Sequence, residues 1–199
     1  LIISPLQQLM AKDKDAECRK LYSTIQRNAE RILQLVNQLM DIRKIDKGQM
    51  SLMFKKAEIV SFTRDLLETF EQQTRVKKLD LKFHTSAPEI EMWIDPKNFD
   101  KIILNLLSNA CKFTPENGQV EISLSTGEDT HLPQNAPLRR YVELTVADSG
   151  IGIASTEREH IFERFYQIRN SQNNSNIGTG IGLHLTRSLV ELHYGNIHV

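Results

Sequence analysis

Asn105 and Asn109 lie four residues apart in the stretch NLLSNACKFT, with Lys112 and Phe113 one turn further on. In a helix the two amides share a face. Ile102, Ile103, Leu106 and Leu107 set that helix against a core. An amide at the edge of a core needs a partner, because an unpaired buried one costs on the order of 1–3 kcal/mol. Amide oxygens are hard ligands of the kind Mg2+ combines with phosphates and water. From one turn on, Lys112 could reach a phosphate and Phe113 could stack on a base. A helix with two structural amides is the plainer reading of this segment alone.

Two further segments carry chemistry. In VADSGIGI, Val142, Leu144 and Val146 alternate along a strand and Asp148 shares their parity, so it points inward where the strand ends. A carboxylate there should meet a hydrogen-bond donor, and an acceptor at the bottom of an apolar slot suits the exocyclic amine of adenine. Gly150 and Gly152 let the backbone turn tightly and come close to a ligand. An ordinary Asp-Ser-Gly turn would use the same residues. In GTGIGLHLT, Gly178, Gly180 and Gly182 lead into a helix, whose free N–H groups attract anions. A flexible loop with a helix cap would also use them. The G-x-G-x-G spacing is neither the dinucleotide fingerprint nor a P-loop.

The elements that must position these residues fall into two parts. Residues 1–48 read as a helical hairpin: the end of a first helix over 1–11, a polar turn at 12–15, and a long second helix. Leu21, Ile25, Asn28, Ile32, Leu35, Leu39 and Ile42 are spaced alternately four and three, a heptad seam with one polar member. Such a seam needs a partner, and two hairpins making a four-helix bundle supply it. Residues 49–199 read as an α/β sandwich. Strands are expected over 49–59, 79–86, 90–95, 118–126 and 139–150, with another beginning at 194. Helices are expected over 59–78, 96–112, 155–167 and 181–193. With no β-α-β rhythm, the fold class is α+β: one mixed sheet with helices on one face.

Lys+Arg and Asp+Glu number 25 each, so no net charge draws the chain to nucleic acid or an anionic membrane. Two cysteines, Cys18 and Cys111, have no metal-ligand spacing, and no apolar run reaches the roughly 18–20 residues of a membrane span. The chain opens on LIISPLQQLM without Met or a leader, so it is expected to be a piece of a larger protein.

Taken in this order, the three segments resemble the N, G1 and G2 boxes of sensor histidine kinases, within the superfamily of gyrase, Hsp90 and MutL ATPases. IFERFYQ (161–167) resembles that family's F box, and the hairpin resembles its dimerisation and histidine phosphotransfer domain. The resemblance implies a Bergerat-type ATP-binding fold and ATP with Mg2+ as cofactors. Asn109 would ligate Mg2+, assisted by Asn105. Lys112 would contact a phosphate, Phe113 would lie against the adenine or ribose, and Asp148 would accept from the adenine amine beside Gly150 and Gly152. Gly178, Thr179, Gly180 and Gly182 would form a hinged lid over the triphosphate with Leu183 beneath it. Phe162 and Phe165 would anchor the lid's near end, with 167–177 as its mobile part.

The implied reaction is transfer of the ATP γ-phosphoryl to a histidine, for relay to a receiver aspartate in a separate response regulator or in the same chain. Here the sequence departs from the family. The acceptor box is absent, and none of His84, His131, His160, His184, His193 or His198 sits in such a setting. The acceptor is expected upstream of Leu1, so no catalytic residue is assigned within the fragment. The opening LIISPLQQL is similar to hybrid kinases, and the final strands are expected to follow residue 199. The implied partners are a second copy, through the hairpin, and a receiver domain. The implied setting is cytoplasmic, with any membrane anchor elsewhere in the parent. Two other readings remain: a chaperone-like or DNA-repair ATPase of the same superfamily, which needs a catalytic carboxylate near Asn109, and a non-catalytic dimerising scaffold.

Overall fold

A computed structural model describes residues 2–128, 139–168 and 178–199. Most of the expected loop at 127–138 and of the lid at 167–177 lies outside these. The chain divides into two compact units, Leu1–Met50 and Ser51–Val199.

The first unit is a helical hairpin of α1 (Ile3–Lys12) and α2 (Ala16–Asp46). Aspartates shape the turn between them. Asp15 accepts from the Glu17 N–H at 2.8 Å and caps α2. Asp13 accepts from the Asp15 N–H and from the Tyr22 hydroxyl, both at 2.9 Å, and these donors hold its carboxyl below the usual range. The 31 residues of α2 make a rod about 46 Å long. Leu21, Ile25, Ile32 and Leu39 of the heptad seam are exposed in the single chain.

In the second unit, Ile59, Val60, Thr63 and Leu67 form the buried stripe of α3 (Ile59–Glu68). The expected helix over 59–78 divides here. Thr69 donates its hydroxyl back to the Leu66 carbonyl at 2.6 Å, which competes with the helical ladder, and Phe70 turns into the core. The chain resumes as α4 (Glu71–Lys77), which stops at Lys78 in the left-handed region. Likewise only Lys55–Glu58 of the strand expected over 49–59 is a strand, β1. Just before it, the Met53 N–H is committed to the Asp95 carboxylate.

The sheet is mixed, as the α+β reading expected, but it comes as two pieces. β4 (Gln119–Glu128) lies centrally, parallel to β2 (Asp80–Thr85) and antiparallel to β5 (Arg140–Asp148). β1 pairs antiparallel with β3 (Glu91–Ile94) as a separate ribbon. Ile103, Leu107, Ala110 and Cys111 of α5 (Pro96–Phe113) are buried with Val120 and Ile122 of β4 in one cluster. Ile59, Val60, Ile94 and Leu124 form another. In β5, Val142, Leu144 and Val146 are half-buried while Glu143 and Thr145 are exposed, so helices cover one face.

Two more expectations fail. Residues 155–167 are not a helix: only His160–Phe162 forms a single 3-10 turn. Side-chain bonds from His160 to Glu163 and from Tyr166 to Glu157 fold the segment, and Phe165 is left-handed. Residues 194–199 are not a strand. The last helix, α6 (Gly182–Leu192), ends with Tyr194 left-handed and the Gly195 N–H on the Val190 carbonyl. No helix of the described residues is long and apolar enough to cross a membrane.

Glu58 ties α3 to the β1–β3 ribbon. Its carboxylate caps α3, accepting from the Val60 and Ser61 N–H groups at 2.8 and 2.7 Å, and also accepts from the Ile90 N–H at 3.0 Å. Burial pushes this carboxyl up, but the three N–H donors outweigh burial and hold it at about 2. Because the folded value lies below the ordinary 4.5, the contribution is complete above that pH and is lost as the pH falls toward 2. Glu58→Gln should cost roughly 2 kcal/mol near neutral pH, as for lost bonds to a charged group. It should also flatten the fall in stability between those two pH values, read by chemical denaturation across the range.

Candidate functional site

The site is built around the C-terminal half of α5. That helix begins as the Asp-Pro pair dictates: Asp95 accepts from the Asn98 N–H at 3.1 Å, with proline in the first turn. Burial raises the Asp95 carboxyl, but the Met53 and Asn98 N–H groups outweigh it and keep it below the usual range. The Asp95 N–H in turn donates to His193 Nε2 at 3.1 Å.

The other end of α5 is fixed by a residue the sequence did not flag. The Lys77 ammonium donates to the carbonyls of Cys111, Lys112 and Thr114 at 2.7, 3.1 and 3.2 Å. A cation here satisfies carbonyls with no partner inside the helix and complements its dipole. The turn bearing Lys112 and Phe113 is thereby held. Above it the Lys112 ammonium lies 4.6 Å from the Phe113 ring centroid, and that ring is 41% exposed. Lys77 lies 35 residues before Lys112 with no motif around it, so only the folded packing of α4 reveals the contact.

The glycine segments meet α5 along this half. At the end of β5 the Gly150 N–H donates to Asp148 Oδ1 at 2.9 Å, so the donor expected for that carboxylate comes from its own turn. Asp148 shares the parity of Val142, Leu144 and Val146, yet it is exposed where they are half-buried. Ser149, another residue the motif reading passed over, accepts from the Gln119 N–H at 2.8 Å and pins the turn to β4. A methyl at Gly150 would stand 2.7 Å from the Phe113 carbonyl oxygen, and one at Gly178 would stand 3.2 Å from Lys112 Nζ. Gly182 opens α6 against Asn105, whose Nδ2 donates to the Gly182 carbonyl at 3.4 Å and to Thr186 Oγ1 at 3.3 Å. Thr179 accepts from the Ile181 N–H, and Leu183 is half-buried in the first turn of α6.

Asn105 and Asn109 therefore differ. Asn105 ties α5 to α6 through its nitrogen. Among the described residues, no hydrogen bond involves the half-buried side chain of Asn109. At the glycine segment's near end the Phe165 N–H donates to the Gly180 carbonyl at 2.9 Å. Phe162 is buried while the Phe165 ring is 63% exposed, so Phe165 meets this segment through its backbone. The five described histidines lie elsewhere or serve as struts: His84 near Glu121, His160 on Glu163, His184 on the Phe162 carbonyl, His193 on Asp95, and His198 near the chain's end. His131 lies outside the described residues. Asp100, five residues before Asn105, has one carboxylate oxygen buried without a hydrogen bond among the described residues, and burial raises its carboxyl. Nine residues from Asn109, it lies about 180° around the helix from it.

Residues 94–199 match the family described as histidine kinase-, DNA gyrase B- and HSP90-like ATPases. The whole chain is 36% identical to the sensor histidine kinase TmoS of Ectopseudomonas mendocina, of which it spans 20%. Over 94% of its length it is 30% identical to the sensor histidine kinase WalK of Bacillus subtilis, spanning 29% of that protein. The fold matches full-length ShkA solved with AMPPNP, with TM-score 0.73 and 24% identity over 96% of this chain and 37% of that one. It also matches the histidine kinase ThkA solved with the response regulator TrrA, with TM-score 0.61 and 23% identity over 98% of this chain and 51% of that one.

The glycine contacts predict unequal tolerance. Gly152 and Gly180 both have φ +69, but a methyl at Gly152 meets nothing within 4 Å, whereas one at Gly180 would stand 2.6 Å from the Phe165 carbonyl carbon. Gly152→Ala should cost only the left-handed penalty of about 1 kcal/mol. Gly180→Ala should cost clearly more and loosen the Phe165 bond, read by denaturation and amide exchange of the two variants side by side.

Proposed function

The chain belongs to the histidine kinase-, DNA gyrase B- and HSP90-like ATPase family, and we propose that it is the ATP-binding core of a sensor histidine kinase. It moves the γ-phosphoryl of ATP to a histidine nitrogen, for relay to a receiver aspartate. The observation that carries this reading is the convergence on one half of α5: Gly150 against the Phe113 carbonyl, Gly178 beside the Lys112 ammonium, and Gly182 against Asn105.

Each group has work in that reaction. Asp148 accepts from the adenine amine, and Gly150 and Gly152 leave room for the base. Phe113 offers an exposed ring beside it. Lys112 and the first N–H groups of α6 face phosphate charge, while Gly178, Thr179 and Gly180 cover the triphosphate above Leu183. The donor set suits Mg2+, which supplies charge neutralisation to the transferring phosphoryl. Asn109, with no bond of its own among the described residues, is the residue to hold it. Asn105 is committed to α6 through its nitrogen, which leaves its oxygen to assist. Phosphoryl transfer asks mainly for position and charge compensation, and these residues provide both.

The acceptor histidine we place outside residues 1–199, in the phosphotransfer helices of the parent protein. The exposed seam from Leu21 to Leu39, with Asn28 inside it, supports homodimerisation through the hairpin of residues 1–48. The remainder, residues 49–199, is the catalytic domain. A receiver domain is the onward partner, ThkA having been solved with its response regulator. The parent acts in the cytoplasm. A hydrolase of the same family would need a carboxylate to activate water near Asn109; Asp100, on the far side of α5, does not supply one.

Titration of an ATP analogue with and without Mg2+ tests the proposal. Asn109→Ala should lower the Mg2+-dependent affinity by about tenfold or more, a loss of roughly 1.4 kcal/mol, and leave unfolding unchanged. Asp148→Asn should weaken binding whether or not Mg2+ is present. A folded wild-type chain that binds no adenine nucleotide would contradict the assignment and favour the scaffold reading.

A further inference from the structure

His184 stands two residues into α6, immediately after the glycine segment, with both ring nitrogens in use. Nε2 accepts from Arg164 Nε at 2.9 Å. A guanidinium only donates, so Nε2 bears no proton, and Nδ1 must then carry one and donate it to the Phe162 carbonyl at 3.0 Å. Two residues beyond Phe162 is Arg164, and next to it Phe165 gives its N–H to the Gly180 carbonyl. One neutral imidazole thus ties both ends of the turn 162–164 to the first turn of α6.

We propose that His184 is a positioning residue: as the neutral Nδ1–H tautomer it clasps the segment 162–164 to α6 and thereby sets where Phe165 meets Gly180 at the base of the glycine lid. Its consequence for nucleotide affinity rests on the function proposed above. Arg187, one turn further along α6, adds a second contact to the same turn: its guanidinium lies 5.5 Å from the Phe162 ring centroid while it pairs along its own helix with Glu191.

The test compares wild type, His184→Ala and His184→Asn in the 199-residue chain at one fixed pH. Asparagine places an N–H donor where Nδ1 stands and leaves nothing for Arg164 in the place of Nε2. The first reading is protection of the Phe165 amide against hydrogen exchange, corrected for intrinsic rate and needing no nucleotide. Protection should fall several-fold in His184→Ala and be restored in part in His184→Asn. The second reading is affinity for Mg·ATP, which should fall several-fold in His184→Ala and by less in His184→Asn. Equal Phe165 protection in wild type and His184→Ala overturns the clasp. Lost Phe165 protection in His184→Ala with unchanged affinity for Mg·ATP overturns its role toward the lid. Absence of nucleotide binding by folded wild type would fault the functional assignment, with the exchange result still deciding the clasp.

Discussion

Three glycines bring main chain against the last turns of α5, and the site depends on the space they leave empty. A side chain at Gly150 would press on the Phe113 carbonyl and one at Gly178 would crowd the Lys112 ammonium, while one at Gly182 would lie in ordinary contact with the Asn105 amide. Because those places are vacant, the end of β5 and the start of α6 approach one helix face from two sides. Asn109, Lys112 and Phe113 are left at the opening between them. Close backbone approach leaves N–H donors and open space in one arrangement, which is what the proposed triphosphate site needs.

That approach is useful only if α5 cannot move, and both its ends are held. Asp95 caps the start while its own N–H is taken by His193 from the end of α6. Lys77 closes the finish by holding three carbonyls, and between them Ile103, Leu107 and Cys111 are fully buried. Among the described residues the glycine segment is held by separate bonds, Phe165 to the Gly180 carbonyl and Gln167 to the Gly178 carbonyl, while the Gly182 carbonyl is held by Asn105 and Thr186.

Much of this was legible in the residues. The Asp-Pro start of α5, the alternation of β4 and β5 and the amphipathic pattern of α6 are local signals, and each element appears within a few residues of its expected bounds. The strand and helix order gave an α+β fold with covering helices on one face. Failures occurred where side chains overrule pattern. Thr69 broke a helix by bonding to its own backbone, Phe165 took a left-handed turn inside an apparently helical stretch, and β1 was shortened by an Asp95 contact 42 residues distant. At the site, residue types pointed to the chemistry but not to its supports: Lys77, Ser149 and His184 act through long-range contacts that no local spacing encodes. Nor did spacing separate Asn105 from Asn109, which only the packing of α6 distinguishes.

The account stands on a nucleotide entering between these glycines and α5. The most direct measurement follows the side-chain amide resonances of Asn105 and Asn109, and the backbone resonances of Gly150, Gly152, Gly178 and Gly182, as Mg·ATP is added to the folded chain. The account predicts saturable shifts at these groups, with Asn109 responding to Mg·ATP and not to ATP alone, while residues on the opposite side of α5, Asp100 among them, stay in place. Saturation that leaves the Asn109 and Gly150 signals unmoved, or that moves the Asp100 side instead, would contradict it.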